Sequence, residues 1–405
     1  LTTRRQRQMC IRDSHYTGIF PDDSLQILSH IENAPYGISD VVTANMGVQL
    51  NHEFLNFLST GSNVFTFGTE LLWDDVYDEI PSYQYLIDQN TSDLGVFIQS
   101  DWNLIPSLSL LSGARMDRHN LVESMVLSPR ISLLYKFKKN TQFRLGYGSG
   151  FRAPQAFDTD LHIAFAGGGI SRITLSPNLL PENSNSYTAS INFDKPYEHF
   201  IAGFTLETFY TRLNRAFYLQ PVGEDEFGYL FEKQNGQGAT IQGATVEFRL
   251  NYDRKIQLEG GFTMQSNVFD DSVEYIEGVN GLKQFVRTPN DYGYALLRFT
   301  PNKKVSGSIN YVYTGRMLVP HFAGADNQDV DEIITSKRFS ELSAKVSYRV
   351  KLKKSNMNLE FYLGIKNILN AYQEQFDIGK NRDSNFIYGP AQPRTLYAGL
   401  SLIHI

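Results

Sequence analysis

From Val41 onward, apolar and polar residues alternate with a period of two, and polar segments break the alternation at recurring distances. In the stretch 256–265, Ile256, Leu258, Gly260, Phe262 and Met264 share one face, while Gln257, Glu259, Gly261, Thr263 and Gln265 share the other. Leu342, Ala344, Val346, Tyr348, Val350 and Leu352 oppose Ser343, Lys345, Ser347, Arg349 and Lys351 in the same way. Met357, Leu359, Phe361, Leu363 and Ile365 repeat the pattern against Asn358, Glu360, Tyr362, Gly364 and Lys366. Side chains of a β-strand point to opposite sides in turn, so this period predicts a sheet with two unlike faces.

The predicted strands run about 10–15 residues, longer than the ~5–6 usual in soluble sheets and sufficient for a tilted bilayer crossing of ~9–11. Their polar face carries mid-strand charges, among them Arg144, Glu247, Arg249, Glu259 and Glu360. A closed apolar sandwich core would pay heavily to desolvate them, whereas a water-filled or plugged lumen holds them at little cost. Connections alternate between short turns, such as Lys138–Asn140 and Pro301–Lys303, and long polar segments, such as Asp78–Thr91, Phe151–Asn183, Asn214–Gly238 and Met317–Ser336. Long loops confined to one end are the mark of an outer-membrane barrel. The fold class read from the pattern is therefore all-β: a transmembrane antiparallel β-barrel of about fifteen strands. An odd number does not close a bacterial single-chain barrel, so strands are expected to be missing on the N-terminal side.

Composition sharpens this picture. Aromatic residues make up 13% of the 405 residues, nearly all of them Tyr (23) and Phe (28), as two interfacial girdles would require. No apolar run reaches the ~18–20 residues of a transmembrane helix. The net charge of −6 and the lack of a basic stripe speak against nucleic acid. A single cysteine, Cys10, excludes a disulfide framework or a cysteine metal site. Leu1–Ser14 is basic and shows no strand alternation, and with Ser401–Ile405 it is read as non-native, resembling translated adapter sequence. Residues His15–Asp40 read as part of a long loop, and 15–400 as the barrel portion.

Several segments resemble a known family. GSGFRAP (Gly148–Pro154) with LSPNLLPENS (Leu175–Ser184) is similar to paired boxes of TonB-dependent outer-membrane receptors. NGQGATIQGATVEF (Asn235–Phe248), RTPNDYGYALL (Arg287–Leu297), GIKNILNAYQEQFD (Gly364–Asp377) and YGPAQPRTLYAGL (Tyr388–Leu400) follow in family order. The resemblance implies a 22-stranded barrel, of which this chain would supply the C-terminal fifteen strands, with an N-terminal plug that is not found here. It also implies residence in the outer membrane of a Gram-negative bacterium and energy-coupled import through TonB. Each box has a structural role of its own: Pro154 and Pro289 suit strand ends, and Asn367 and Asn370 suit tight turns or hydrogen bonds onto loop backbone.

No H-E-x-x-H spacing, G-x-S-x-G elbow or Walker loop is present, so an enzyme is not expected, nor is a resident cofactor or metal. His119 with Asp117, and His162 with Asp160, are merely adjacent loop residues. Candidate ligand contacts in the outer loops are His162, Arg152, Arg172, His321 and Arg316. The arginines suit a carboxylate or catecholate siderophore through charge-assisted hydrogen bonds. The resemblance makes His162, between the FRAP and PNLLPE boxes, a haem-ligand candidate, with His321 a second one of the same kind. Solvated loop residues, lipopolysaccharide contacts and loop packing are the plainer roles for all five. The leading functional expectation is an importer of an iron–siderophore, with haem or a corrinoid next. A passive porin, a glycan importer with a lipoprotein partner and a soluble sugar-binding β-protein are the alternatives.

Overall fold

The computed structural model describes residues 2–5, 9–16, 36–155, 163–165, 169–225, 228–325, 328–352, 357–377, 383 and 386–404. A long antiparallel meander dominates. It begins with β1 (Thr2–Arg5) and β2 (Met9–Tyr16), which both pair with β3 (Tyr36–Phe54). It continues through β4 (Asn63–Ile80), β5 (Tyr85–Ile105), β6 (Leu108–His119), β7 (Val126–Phe137) and β8 (Thr141–Arg152). The short β9 (Ile163–Phe165) and β10 (Gly169–Leu175) lie in the connection to β11 (Glu182–Pro196) and β12 (Phe200–Asn214). The hairpin β13 (Phe217–Asp225) and β14 (Gly228–Asn235) precedes β15 (Gly238–Tyr252), β16 (Ile256–Val273), β17 (Leu282–Gln284), β18 (Asp291–Phe299) and β19 (Val305–Thr314). The hairpin β20 (Leu318–His321) and β21 (Glu332–Thr335) leads to β22 (Phe339–Leu352), β23 (Met357–Lys366) and β24 (Thr395–His404). Among the described residues the main sheet has 18 strands; setting aside β1, β2 and the short β17 leaves the fifteen crossings that the sequence pattern predicts. Among the described residues, no ladder joins β1 or β2 to β24.

The two faces sort as the alternation requires. Apolar side chains on the outer face stay open, with Met46 64%, Leu127 62% and Met264 63% exposed, so nothing among the described residues covers them. Aromatic pairs mark two levels on that face. Tyr147, Tyr187 and Tyr210 adjoin at the long-loop end, while Phe137–Phe143, Phe193–Phe204 and the stacked Tyr197–Phe200 lie at the short-turn end. Tyr187 and Tyr197 are ten positions apart, ~33 Å along a strand at ~3.3 Å per residue and ~25 Å along the normal at a ~40° tilt. That matches the height of the apolar band of an outer-membrane barrel.

The inner face is polar, and several of its charges are paired. Arg249 Nη2 lies 3.2 Å from Asp194, and Arg349 Nη2 donates to Glu360 at 2.8 Å. A cavity of about 950 Å3 opens on this face, lined among others by Gln49, Glu70, Phe97, Gln99, Arg115 and Arg130. At the last hairpin, Tyr397 lies across Gly364 and Tyr362 across Gly399, so a β-carbon at either glycine would strike a ring. The Lys345 ammonium sits 4.6 Å from the Tyr362 ring.

Three expectations about local structure need correction. The segment Asp78–Thr91 is not a polar loop: β4 and β5 run through it and turn only at Pro81–Gln84. Beyond the apolar band no lipid demands an apolar outer face, so the alternation fades although the ladder continues. The result is a tall arm whose inward residues Val76, Ile80, Tyr85 and Ile87 cluster with Ile173 and, at the edge, with Val41, Leu219 and Phe231. The stretch His15–Asp40 likewise contains strand at both ends, to Tyr16 and from Tyr36. Within the segment read as lacking strand character, Thr2–Arg5 and Met9–Ser14 pair through backbone groups, which an open edge of β3 offers to any sequence.

The arm has a core small enough to test. Ile80→Ala should remove ~2–4 kcal/mol of local packing. Proteolysis of the membrane-embedded protein at the arm's tip should then be at least tenfold faster, with the rest of the chain uncut.

Candidate functional site

The long-loop end is built from two separate clusters of residues above the polar face. In the first, β10 pairs in parallel with β14, which pairs with β13, and this small sheet leans on the arm through Ile173, Leu219 and Phe231. Arg172 on β10 forms an ion pair with Asp225 at the end of β13. Arg152, at the loop end of β8, places its guanidinium 5.6 Å from the Phe217 ring. The buried Lys233 ammonium approaches the same ring to 5.0 Å and donates to the Gln155 carbonyl at 3.5 Å. Phe217 is held in turn by its N–H, which donates to Glu182 at 2.9 Å. Two cations thus flank one phenyl ring, an attraction of ~0.5–2 kcal/mol each that also raises the local positive potential.

Beneath this cluster the inner wall carries a charged knot. Arg115 donates to Glu70 at 2.9 Å and to Asp117 at 2.6 Å, with Asp93 at 3.8 Å. His119 does not form a relay with Asp117, whose Oδ1 serves Arg115. Its Nδ1 accepts the Leu121 N–H at 3.1 Å, and its Nε2 faces the Gln155 side chain at 3.4 Å.

The second cluster joins three loops, those after β16, β19 and β23. His321, at the end of β20, points Nε2 at both oxygens of Asp377, each 3.0 Å away. Its ring stacks on Phe386 at 3.5 Å and 9°. Asp377 also accepts the Asp383 N–H at 3.1 Å, and Asp383 accepts the Phe322 N–H at 3.1 Å. Gln373 closes the same loop: its Oε1 accepts from the N–H groups of Tyr388 and Gly389, and its Nε2 donates to the Phe386 carbonyl. Arg287 donates to the Ile387 carbonyl at 3.1 Å. Burial pulls its guanidinium below the ordinary value, and Asp383 opposes that shift. At the root of the loop, Asn367 has φ 49° and bridges the Ala371 and Gln392 carbonyls, while Asn370, with φ 54°, accepts the Arg394 N–H. Both asparagines therefore do the turn work their residue type suggests.

The five candidates do not form one constellation. Arg152 and Arg172 belong to the first cluster and His321 to the second; Arg316 is exposed just after β19. His162 and Asp160 lie outside the described residues. Lys233, Phe217, Asp377, Asp383 and Phe386 escape a motif search, since only the tertiary fold brings them to their partners. Asp377 and Gln373 do lie within the Gly364–Asp377 box, Arg287 opens the Arg287–Leu297 box and Tyr388 opens the Tyr388–Leu400 box, so three of the family segments meet at the second cluster.

A family model described as "TonB dependent receptor-like, beta-barrel" matches residues 12–368. No curated protein matches the chain. Among solved structures, a mutant of the ferric enterobactin receptor PfeA from Pseudomonas aeruginosa, in complex with enterobactin, superimposes with a TM-score of 0.69 at 16% identity, covering 98% of this chain and 59% of its own. The siderophore receptor PirA from Acinetobacter baumannii gives 0.65 at 16% identity, covering 90% and 55%. The ferric-catecholate import receptor Fiu from E. coli K12, in a closed form, gives 0.66 at 14%, covering 91% and 55%. The chain therefore spans less than two thirds of these proteins, and at such identities the likeness concerns the fold.

Proposed function

The chain belongs to the TonB-dependent receptor family, an outer-membrane family of transporters and not of enzymes, and on that premise we propose that it is the barrel portion of a receptor importing an iron–siderophore. TonB supplies the energy through a plug region, and the outer loops capture the ligand. The observation that carries the ligand class is the first cluster at the mouth. The exposed Arg152 and the buried Lys233 lie against Phe217 at the root of the β13–β14 hairpin, and the Arg172–Asp225 pair lies toward its tip, so cationic and aromatic groups occur together on this hairpin. A ferric catecholate is anionic and aromatic, and this chemistry answers both properties through charge-assisted hydrogen bonds and ring contacts. The structural neighbours named as siderophore receptors support the same reading. Arg316 contributes a further exposed cation on the rim.

Haem is the second reading, and it rests on His162 and His321. The His321 Nε2 is engaged by Asp377, so iron ligation there requires breaking that contact.

The test is growth of a deletion strain carrying the complete receptor, with one iron source at a time. Growth on a ferric catecholate is expected, and growth on haem alone overturns the assignment. Arg152→Ala should weaken ferric-catecholate binding ~10- to 100-fold, the value of one hydrogen bond to a charged group. His162→Ala should leave growth unaltered; loss of haem-dependent growth in that variant would establish the second reading.

A further inference from the structure

The short-turn end carries a feature that ligand capture leaves unused. The overall charge is negative, yet the periplasmic turns present Lys138 and Lys139 after β7, Lys195 at the end of β11, Arg254 after β15, and Lys303 and Lys304 after β18, all exposed. Their acidic neighbours are few and partly engaged: Asp194 contacts Arg249, and Asp253 contacts Lys255 and His199, while Glu198 is exposed. Two of these ammonium groups sit on the aromatic girdle itself. Lys138 Nζ is 5.3 Å from the Phe137 ring, and Lys195 Nζ is 4.8 Å from the Tyr197 ring. Lys195 shares the outer face of β11 with Ile191 and Phe193, so its stem runs along apolar surface and its charge lies at the edge of the lipid. The opposite end has the opposite sign on that face, where Asp40, Asp75, Glu79 and Asp88 occupy the outside of the arm.

We propose that this cationic belt binds anionic phospholipid headgroups of the periplasmic leaflet and holds a shell of such lipids around the short-turn end of the barrel. Phosphate of an acidic headgroup lies at the level the girdle rings mark, and each nearby lysine or arginine adds attraction to a negative surface. A protein partner in the periplasm would need none of these cations at the girdle, where Lys138 and Lys195 sit.

Trp102 provides the reporter. It packs at 5.2 Å against Phe57 in the same girdle and connects by ladder through Leu110 to Leu133 on β7, two strands or ~10 Å from the strand that ends at the Lys138 turn. Trp73→Phe leaves it as the sole indole, since the chain has two tryptophans. The chain is reconstituted in phosphatidylcholine vesicles containing brominated phosphatidylglycerol or brominated phosphatidylcholine, and quenching of Trp102 gives relative association constants. The anionic lipid should be preferred about threefold to fivefold, with the preference falling toward one in 0.5 M salt and in Lys138→Gln/Lys139→Gln. Lys138→Arg/Lys139→Arg should keep it. Equal quenching by both lipids in the Trp73→Phe chain overturns the proposal, as does a preference that survives both salt and the glutamine pair. Heat-modifiable gel mobility reports folding, and if the glutamine pair does not fold, the salt titration decides alone.

Discussion

Ile309→Arg should destabilise the embedded barrel by ~2–4 kcal/mol, whereas Asn310→Arg, one residue along, should cost under ~1 kcal/mol. The two positions are adjacent at the middle of β19, and their ladder partners show that they face opposite ways. Ile309 stands between Leu297 and Ala344 on the outer face, and Asn310 between Leu296 and Ser343 on the inner one. An arginine on the outer face must bury its charge in hydrocarbon or drag water inward, while one on the inner face joins a wall that already holds Lys345 and Arg349. Urea unfolding from vesicles measures both. Equal costs would show that the faces are not lipid and water, and the barrel reading of this sheet would fall with that result.

His321→Ala should open the second loop cluster without unfolding the barrel. The His321 and Asp377 side chains are 9% and 4% exposed, so truncating one leaves the other buried without its main partner. A loss of ~2–4 kcal/mol is expected, and at ~1.4 kcal/mol per decade it corresponds to a ~30- to 1000-fold fall in local protection. Hydrogen exchange at the Phe322 and Asp383 amides reads it directly, because both donate into the same carboxylate chain. Exchange in β22 and β23 should not change. Haem titration of Asp377→Asn separates structure from ligation. If His321 serves as a lock, the Soret band shows no added binding when Asp377 loses its charge; if it serves as an axial ligand, releasing the imidazole should raise haem affinity.

These two experiments address parts of the molecule that differ in how far local sequence specifies them. Ile309 and Asn310 could be assigned to opposite faces from alternation alone, since a strand with lipid on one side and water on the other must write both solvents into its residues. The family boxes were legible for a related reason: Asn367, Asn370 and Pro154 answer backbone demands at strand ends, and those demands are local. The mouth was only partly legible. Arg152, Arg172 and His321 stand out as charged or ligating residue types in loops, but nothing local announces that Arg152 shares a phenyl ring with Lys233, 81 positions away, or that His321 meets Asp377, 56 positions away. The tall arm looks like a loop in the sequence because its ladder outlasts the lipid that enforces alternation.

Local sequence specifies the class of structure: two-faced strands of bilayer length, short turns at one end, long loops at the other and aromatic residues for two interfaces. Each of these follows from the solvent on either side of a single strand, and one strand's residues suffice to record it. Only the assembled sheet fixes which loop residues meet, gives the arm a core of its own and gathers the cations of separate turns at one end of the strands. Such contacts depend on closing loops tens of residues long around a common sheet. Their partners lie at sequence distances where no periodicity or spacing carries information.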